Sequence, residues 1–184
     1  NPVTVTASTN NPTIDLTGSM LINSGSTYVA ASNVAAFLVR GDWINNGTFT
    51  HSGGTVSFDA TATGKTITPG SSTFYDLEFI GSSGGWTITG NATSTNDTSI
   101  TNATSLTLAS GATLEVGGTF TNSILDSATT WTGSTLYLNS GTSYSLNLKT
   151  DVTGDDYGTL LIGASTHVRM WHSSSTAVSV AASG

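Results

Sequence analysis

The chain has 184 residues and a formal net charge of −7, and its four Lys and Arg residues cannot form the basic patch that nucleic acid or an anionic membrane would require. Thr, Ser, Gly and Asn together supply more than half of the chain, whereas Gln is absent and Glu occurs twice. Because strong helix formers are scarce and Thr suits pleated strands, we predict an all-β protein with almost no helix. The lack of Cys excludes disulfides, and no apolar run is long enough to span a membrane.

The chain opens on strand-like sequence, VTVTA at residues 3–7, without Met or a signal peptide, and similar sequence stands at residues 177–181. Neither stretch carries Lys, Glu or a helical pattern that would block pairing with another strand. We therefore expect a processed piece of a longer protein, which continues into further coils or stacks end to end with a second copy.

A short pattern recurs as INSGSTY at 22–28, LASGATL at 108–114 and LNSGTSY at 138–144. Each copy has an apolar residue at both ends and Ser-Gly in the middle. Because Gly adopts positive φ at no steric cost, each Ser-Gly predicts a corner between two strands whose apolar ends point into one core.

The stretch RGDWINNGTF at 40–49 contains an Arg-Gly-Asp tripeptide, which can be an adhesion motif at an exposed loop tip. Here it lies between an apolar run at 37–39 and Trp43. We therefore interpret the tripeptide as structural. Trp43 and Phe49 are predicted to enter the core of one coil on either side of an Asn-Asn-Gly turn.

Alternating apolar and polar residues predict short strands, for example at 55–59, 86–89, 106–108 and 136–138. The apolar positions of these strands and of their neighbours define the predicted core. It consists of Trp43, Phe49, Phe58, Leu77, Phe79, Leu106, Leu108, Leu114, Phe120, Leu136, Leu138, Leu160 and Ile162.

Longer similarities join the two halves of the chain, such as WINNGTFT at 43–50 with LEVGGTFT at 114–121. They predict one repetitive domain at 1–184, with two diverged modules at approximately 20–103 and 104–184. Recurrent corners, abundant small residues and nearly uncharged strands predict a right-handed parallel β-solenoid of roughly 7 to 9 coils. A tandem β-sandwich is the alternative.

Few side chains are candidates for catalysis. Asp76 and Glu78 share one face of a predicted strand, but they stand opposite Leu77 and Phe79, so we expect a solvated face and no catalytic pair. We predict no catalytic residue and no enzymatic activity.

Metal sites have equally weak support. The imidazoles of His51, His167 and His172 show no zinc pattern, which favours structural or surface roles. Three carboxylates, Asp151, Asp155 and Asp156, flank a Gly turn and could hold calcium, although their spacing matches neither the EF-hand loop nor the glycine-rich calcium nonapeptide, and a plain polar loop is favoured. Calcium is the one candidate cofactor.

Four N-glycosylation sequons begin at Asn46, Asn91, Asn96 and Asn102, and they matter only in a host that modifies such sites. Thr-x-Thr pairs at 4–6 and 87–89 could order water, as in ice-binding proteins, but they do not recur at a strict coil period in the sequence.

The pattern G-[DN]-W-x-N-x-G-x-F, followed by T-V-x-F and F-x-x-L-x-F across residues 41–80, resembles repeats of very large secreted surface proteins of uncultured bacteria. The stretch at 157–171 is similar to a second recurrent segment of those proteins. The resemblance covers about a third of the chain, and it implies a parallel β-helix with an extracellular, cell-surface location and no catalytic residues.

We therefore expect a non-enzymatic structural segment, such as a stalk, fibre or adhesive spacer. Its expected partners are further copies or coils of the same chain, with surface carbohydrate as a further candidate and no nucleic acid. The alternatives are a carbohydrate-binding or carbohydrate-cleaving β-helix and, second, an ice-binding surface. A groove that gathers two carboxylates with exposed aromatic rings would favour the carbohydrate alternative.

Overall fold

A computed structural model describes residues 2–32, 37–147 and 157–171, and it shows short strands that wind around one core. Every strand pairing among these residues is parallel. The only helical element in the described ranges is a single 3₁₀ turn at Asp126–Ala128. The fold is thus an all-β parallel solenoid, as predicted.

Successive strands occupy three sides in turn, which we call faces A, B and C. Face A comprises β1 (Thr4–Thr6), β4 (Thr27–Val29), β7 (Thr48–Thr50), β12 (Ala92–Ser94), β15 (Thr113–Val116), β18 (Thr135–Leu138) and β20 (Thr159–Ile162). Face B comprises β2 (Ile14–Leu16), β5 (Phe37–Val39), β8 (Thr55–Phe58), β10 (Asp76–Phe79), β13 (Thr98–Ile100) and β16 (Phe120–Asn122). Face C comprises β3 (Met20–Ile22), β6 (Trp43–Asn45), β9 (Lys65–Thr68), β11 (Gly85–Ile88), β14 (Ser105–Leu108) and β17 (Thr129–Thr130).

Faces B and C are each one continuous six-stranded sheet, whereas face A consists of two sheets. Phe74 joins the two, because its ring lies 5.8 Å from that of Phe49 and its backbone forms a parallel bridge with Ser94. A further two-stranded sheet is made by β19 (Ser143–Asn147) and β21 (His167–Trp171), and β19 contacts β16.

The turns of the solenoid differ in length. On face B, Thr55 and Asp76 are bonded neighbours on adjacent turns and stand 21 positions apart in the sequence. Near face C, the bonded pair Asp42 and Thr66 is 24 positions apart. Faces B and C have six strands each, so the described residues form about six turns, whereas seven to nine were expected for the whole chain.

The core runs along the inside of the three sheets. Most strands alternate buried residues with more exposed ones, and the typical pattern is that of Leu77 and Phe79 in β10. The buried apolar side chains of the predicted set are Trp43, Phe49, Phe58, Leu77, Phe79, Leu106, Leu108, Leu114, Phe120, Leu136 and Leu138. Parallel sheets stack these positions directly above one another, so that rings such as Phe58 and Phe79 lie 5.4 Å apart and nearly parallel.

Two predicted core residues are not fully buried. Leu160 is half-buried, and Ile162 is 42% exposed. Both belong to β20, which pairs with β18 on one edge and is the last strand of its sheet in the described ranges. The inward position of Ile162 therefore has a neighbouring turn on one side only.

The predicted Ser-Gly corners are confirmed. Gly25, Gly111 and Gly141 have φ values of 78°, 81° and 66°, which are unfavourable for residues with a side chain. The apolar residues that precede the first two corners, Ile22 and Leu108, are buried.

The similar segments of the two halves lie on different faces. Trp43 is on face C whereas its sequence counterpart Leu114 is on face A, and Val56 is on face B whereas Leu136 is on face A. The similarity thus reflects a common strand-and-turn pattern rather than equivalent positions around the axis. The division into two modules stays a prediction.

Candidate functional site

Three acidic side chains line a shallow groove on face B. Asp76 and Glu78 of β10 and Asp97, in the corner before β13, line it together with small polar and aliphatic residues. As predicted, the two carboxylates of β10 point outward while Leu77 and Phe79 are buried. No aromatic side chain of the described residues lines this groove.

These carboxylates accept hydrogen bonds from the neighbouring turns. Asp76 accepts from the hydroxyl of Thr55 at 3.1 Å on one side and from the amide Nδ2 of Asn96 at 2.7 Å on the other. Glu78 accepts from the hydroxyl of Ser57 at 2.9 Å. Each partner lies one turn away, so these bonds run parallel to the solenoid axis.

The same arrangement recurs at other carboxylates. Asp97 accepts from the backbone N–H of Thr119 at 2.7 Å, and Glu115 accepts from Nδ2 of Asn139 at 2.9 Å. Hydrogen bonds to an ionised acceptor are among the stronger ones in proteins. These outward acids therefore hold adjacent turns together.

The Arg-Gly-Asp tripeptide also connects turns. Arg40 forms ion pairs with Asp15 on the turn before it and with Asp59 on the turn after it, the latter at 3.4 Å. Asp42 accepts from the backbone N–H of Thr66 at 2.7 Å on the following turn. Both charged groups of the tripeptide are thus engaged within the fold.

Gly41 sits where two turns touch. A Cβ atom at this position would lie 2.5 Å from the backbone carbon of Gly18 and from the nitrogen of Ser19. The glycine is therefore required by close backbone approach, and the tripeptide is built into a corner rather than presented at a loop tip.

The histidines do not form a metal site in the described residues, where no group of three or more His, Cys, Asp or Glu side chains is arranged to hold a metal. His51 accepts a hydrogen bond at Nδ1 from the N–H of Gly53 at 3.0 Å, and its ring lies 5.6 Å from that of Tyr75. Partial burial lowers the pKa of His51, and the charge of Asp76 opposes that shift. His167 is exposed at the start of β21, and His172 lies outside the described residues.

The four sequons differ in their surroundings. Asn46, Asn91 and Asn102 are exposed, whereas the side-chain nitrogen of Asn96, the atom that a glycan would modify, donates to Asp76. Asn91 accepts from the N–H of Thr113 at 2.9 Å through its oxygen. Asn96 is therefore the least suited of the four as an acceptor.

The proposed calcium ligands Asp151, Asp155 and Asp156 lie outside the described residues, so this site stays a prediction. The described part of the chain includes no helix long and apolar enough to cross a membrane.

Face C carries a feature that sequence analysis missed. The outward residues Thr66, Thr87, Thr107 and Thr130 pair with one another on four successive turns and form a column. Beside it, the hydroxyls of Thr68 and Thr89 lie 3.1 Å apart on two of these turns. Comparing the chain one strand at a time, with corners of variable length, would have exposed this column.

Comparison of the chain with protein-family models, with curated proteins and with solved structures returned no match.

Proposed function

We propose that this chain is a non-enzymatic structural segment of a secreted, cell-surface protein, where it serves as a stalk, fibre or adhesive spacer. The observation that carries the proposal is the use of the acidic side chains. Seven acids each form a hydrogen bond or an ion pair with an adjacent turn, namely Asp15, Asp42, Asp59, Asp76, Glu78, Asp97 and Glu115. Each of these carboxylates thus joins two turns, and hydrogen bonds to an ionised acceptor are among the stronger ones in proteins, so the acids contribute to cohesion along the axis.

The groove on face B supports the same conclusion. Three carboxylates line it, but no aromatic ring of the described residues offers the flat apolar surface on which a sugar ring stacks. A carbohydrate-binding or carbohydrate-cleaving β-helix is therefore the weaker proposal.

Right-handed winding belongs to the same proposal. Connections between parallel strands of one sheet are right-handed in nearly all proteins, because twisted strands pack back onto the sheet most readily in that sense.

The acidic groove provides the test. Replacing Asp76 and Glu78 together by Asn and Gln keeps their size but removes the charges that strengthen the bonds to Thr55, Ser57 and Asn96. We expect a lower free energy of unfolding, by about 1 to 3 kcal/mol for two charge-assisted hydrogen-bond sets. The matched control is Ser99→Ala, an outward position of the same groove, which should leave stability almost unchanged.

The same proteins should be incubated with a panel of plant, fungal and bacterial polysaccharides, and new reducing ends should be measured. We expect none from the unmodified chain. The structural proposal would be contradicted, and a glycosidase favoured, if the unmodified chain released reducing ends and the double variant released none while keeping the stability of the unmodified chain.

We also propose that the segment pairs end to end, with a further turn of its parent chain or with a second copy. In the described ranges β1, β2 and β3 each pair on one edge only, which leaves backbone N–H and C=O groups open. Val5 is in register with Tyr28 and Phe49 on the next two turns of face A, and it is 51% exposed at this edge. Open edges of this kind readily accept another strand.

Sedimentation over a concentration series tests the second-copy form. We expect the unmodified chain to associate. Val5→Lys should weaken this association, because a charge at the open core edge opposes pairing. Thr50→Lys, at an exposed position two turns away, should leave the association unchanged. A chain that is monomeric at every concentration would overturn stacking between copies.

A further inference from the structure

The Thr column of face C is regular in space although it is irregular in sequence. Its members stand at positions 66, 87, 107 and 130, so no fixed interval separates them along the chain. The parallel ladders nevertheless place neighbouring members one strand apart, about 4.7–4.9 Å along the axis. The differences in sequence spacing are absorbed by the corner loops.

A second column widens the array. Thr68 and Thr89 stand two positions after Thr66 and Thr87, hence about 6.5 Å across the face from them. Ile44, which pairs with Thr68, continues this column towards the first turn with an apolar side chain. The result is a two-dimensional array of hydroxyl and methyl groups on adjacent turns.

The hydroxyls of the first column are free to bind water. Unlike the outward Thr55 and Ser57 of face B, whose hydroxyls bond to carboxylates, Thr66, Thr87 and Thr107 form no side-chain hydrogen bond with other described residues. Because Thr is branched at Cβ, the strand restricts its χ1 angle and fixes the direction of each hydroxyl.

Charged groups lie at one end of this array. The described strands of face C contain no Asp or Glu, and Lys65 in β9 is their one charged residue. Asp42, in the corner before β6, occupies the position next to Thr66 in the first column and accepts its backbone N–H at 2.7 Å. A carboxylate orders water strongly around itself, so the uninterrupted part of the column runs from Thr66 away from Asp42, through Thr87 and Thr107 to Thr130.

From the column and its free hydroxyls, we infer that face C binds the surface of ice. The spacings of the array, about 4.8 Å along the axis and about 6.5 Å across it, are close to the repeat distances of water oxygens on ice crystal surfaces. Waters held by the Thr hydroxyls and packed against their methyl groups would merge with the lattice. This activity is separate from the structural role proposed above and stands or falls without it.

The test measures thermal hysteresis, which is the gap between the melting and freezing points of a seed crystal, and the uptake of the chain into a slowly growing ice hemisphere. We expect both for the unmodified chain and loss of both in the double variant Thr87→Tyr with Thr107→Tyr. These outward side chains lie outside the core, and an unchanged thermal unfolding curve verifies that the variant folds.

Face A offers a matched control, because Thr27 and Thr48 also pair as outward neighbours in a column. The double variant Thr27→Tyr with Thr48→Tyr should keep the hysteresis of the unmodified chain. Absence of hysteresis and ice uptake in the unmodified chain would overturn the inference. Equal loss in the face A variant, or loss there alone, would overturn the assignment to face C.

Discussion

Replacing Phe120 by Ala should remove a large part of the stability of the last described turns. Phe120 is 1% exposed, and its ring meets those of Trp131 and Tyr157 edge to face, with centroids 6.2 Å and 6.0 Å away. Emptying an aromatic core site costs about 3 to 5 kcal/mol, since both the transfer free energy and the packing around the cavity are lost.

The geometry of the solenoid favours the upper half of that range. Phe120 lies on β16, whose backbone pairs with β13 from Thr98 to Ile100, so the ladder prevents the walls from closing around the cavity. The Trp131 and Tyr157 rings, 5.2 Å apart, would keep each other as partners but lose the third ring. A site that cannot collapse retains most of the cavity and its cost.

Urea unfolding followed by tryptophan fluorescence and by far-ultraviolet circular dichroism gives the free energy, provided that the two probes report one transition. Thr121→Val, an exposed and outward neighbour on the same strand, is the control and should change stability by less than about 0.5 kcal/mol. A loss below about 1 kcal/mol in Phe120→Ala would refute the reasoning, because no buried aromatic site of this kind is that tolerant.

Two further changes test a corner glycine and a histidine. Gly41→Ala should lower the free energy of unfolding by about 1 to 3 kcal/mol through overpacking, because the added Cβ would meet the backbone of Gly18 and Ser19. Gly18→Ala should be tolerated, because no atom lies within 4 Å of its added Cβ. Equal melting temperatures for the two variants would contradict this prediction. Burial lowers the pKa of His51 in the folded chain, so folding favours the neutral imidazole. The contribution of His51 to stability is therefore present above its ordinary pKa of about 6.5, and it is lost as the pH falls through the lower pKa of the folded chain. The side-chain oxygen of Asn in His51→Asn can still accept the hydrogen bond from Gly53, but Asn does not titrate. The urea midpoint of this variant should therefore depend less on pH between about 7.5 and 5, and an unchanged pH dependence of the midpoint would contradict this role of His51.

Much of the fold follows from local sequence. Alternation in segments such as residues 106–108 predicts strands with one buried side, and Ser-Gly predicts corners, because both depend on the conformational preferences of a few neighbouring residues. The buried positions Trp43 and Phe79 were predictable for the same reason. The exposure of Ile162 was not, because it depends on whether another turn covers this residue.

The roles of the polar residues depend on the tertiary structure. Asp76 and Glu78 were correctly placed on the outer side of their strand, but a sequence read along one strand contains no information on which hydroxyl stands one turn away. Likewise, Arg40 proves to pair with acids on the turns before and after it, which are distant from it in the sequence.

Strand propensity, glycine conformation and apolar alternation act over a few residues, and they were therefore sufficient to predict the class of fold, the corners and most of the core. The register between turns arises only in the folded chain, and with it the bonds of the carboxylates and the Thr column of face C. Turns of unequal length, such as those from Phe37 to Val56 and from Trp43 to Ile67, obscure that register in the sequence. In space it is restored because every backbone N–H and C=O of a parallel ladder must meet its partner on the next turn, whatever the length of the loop between them.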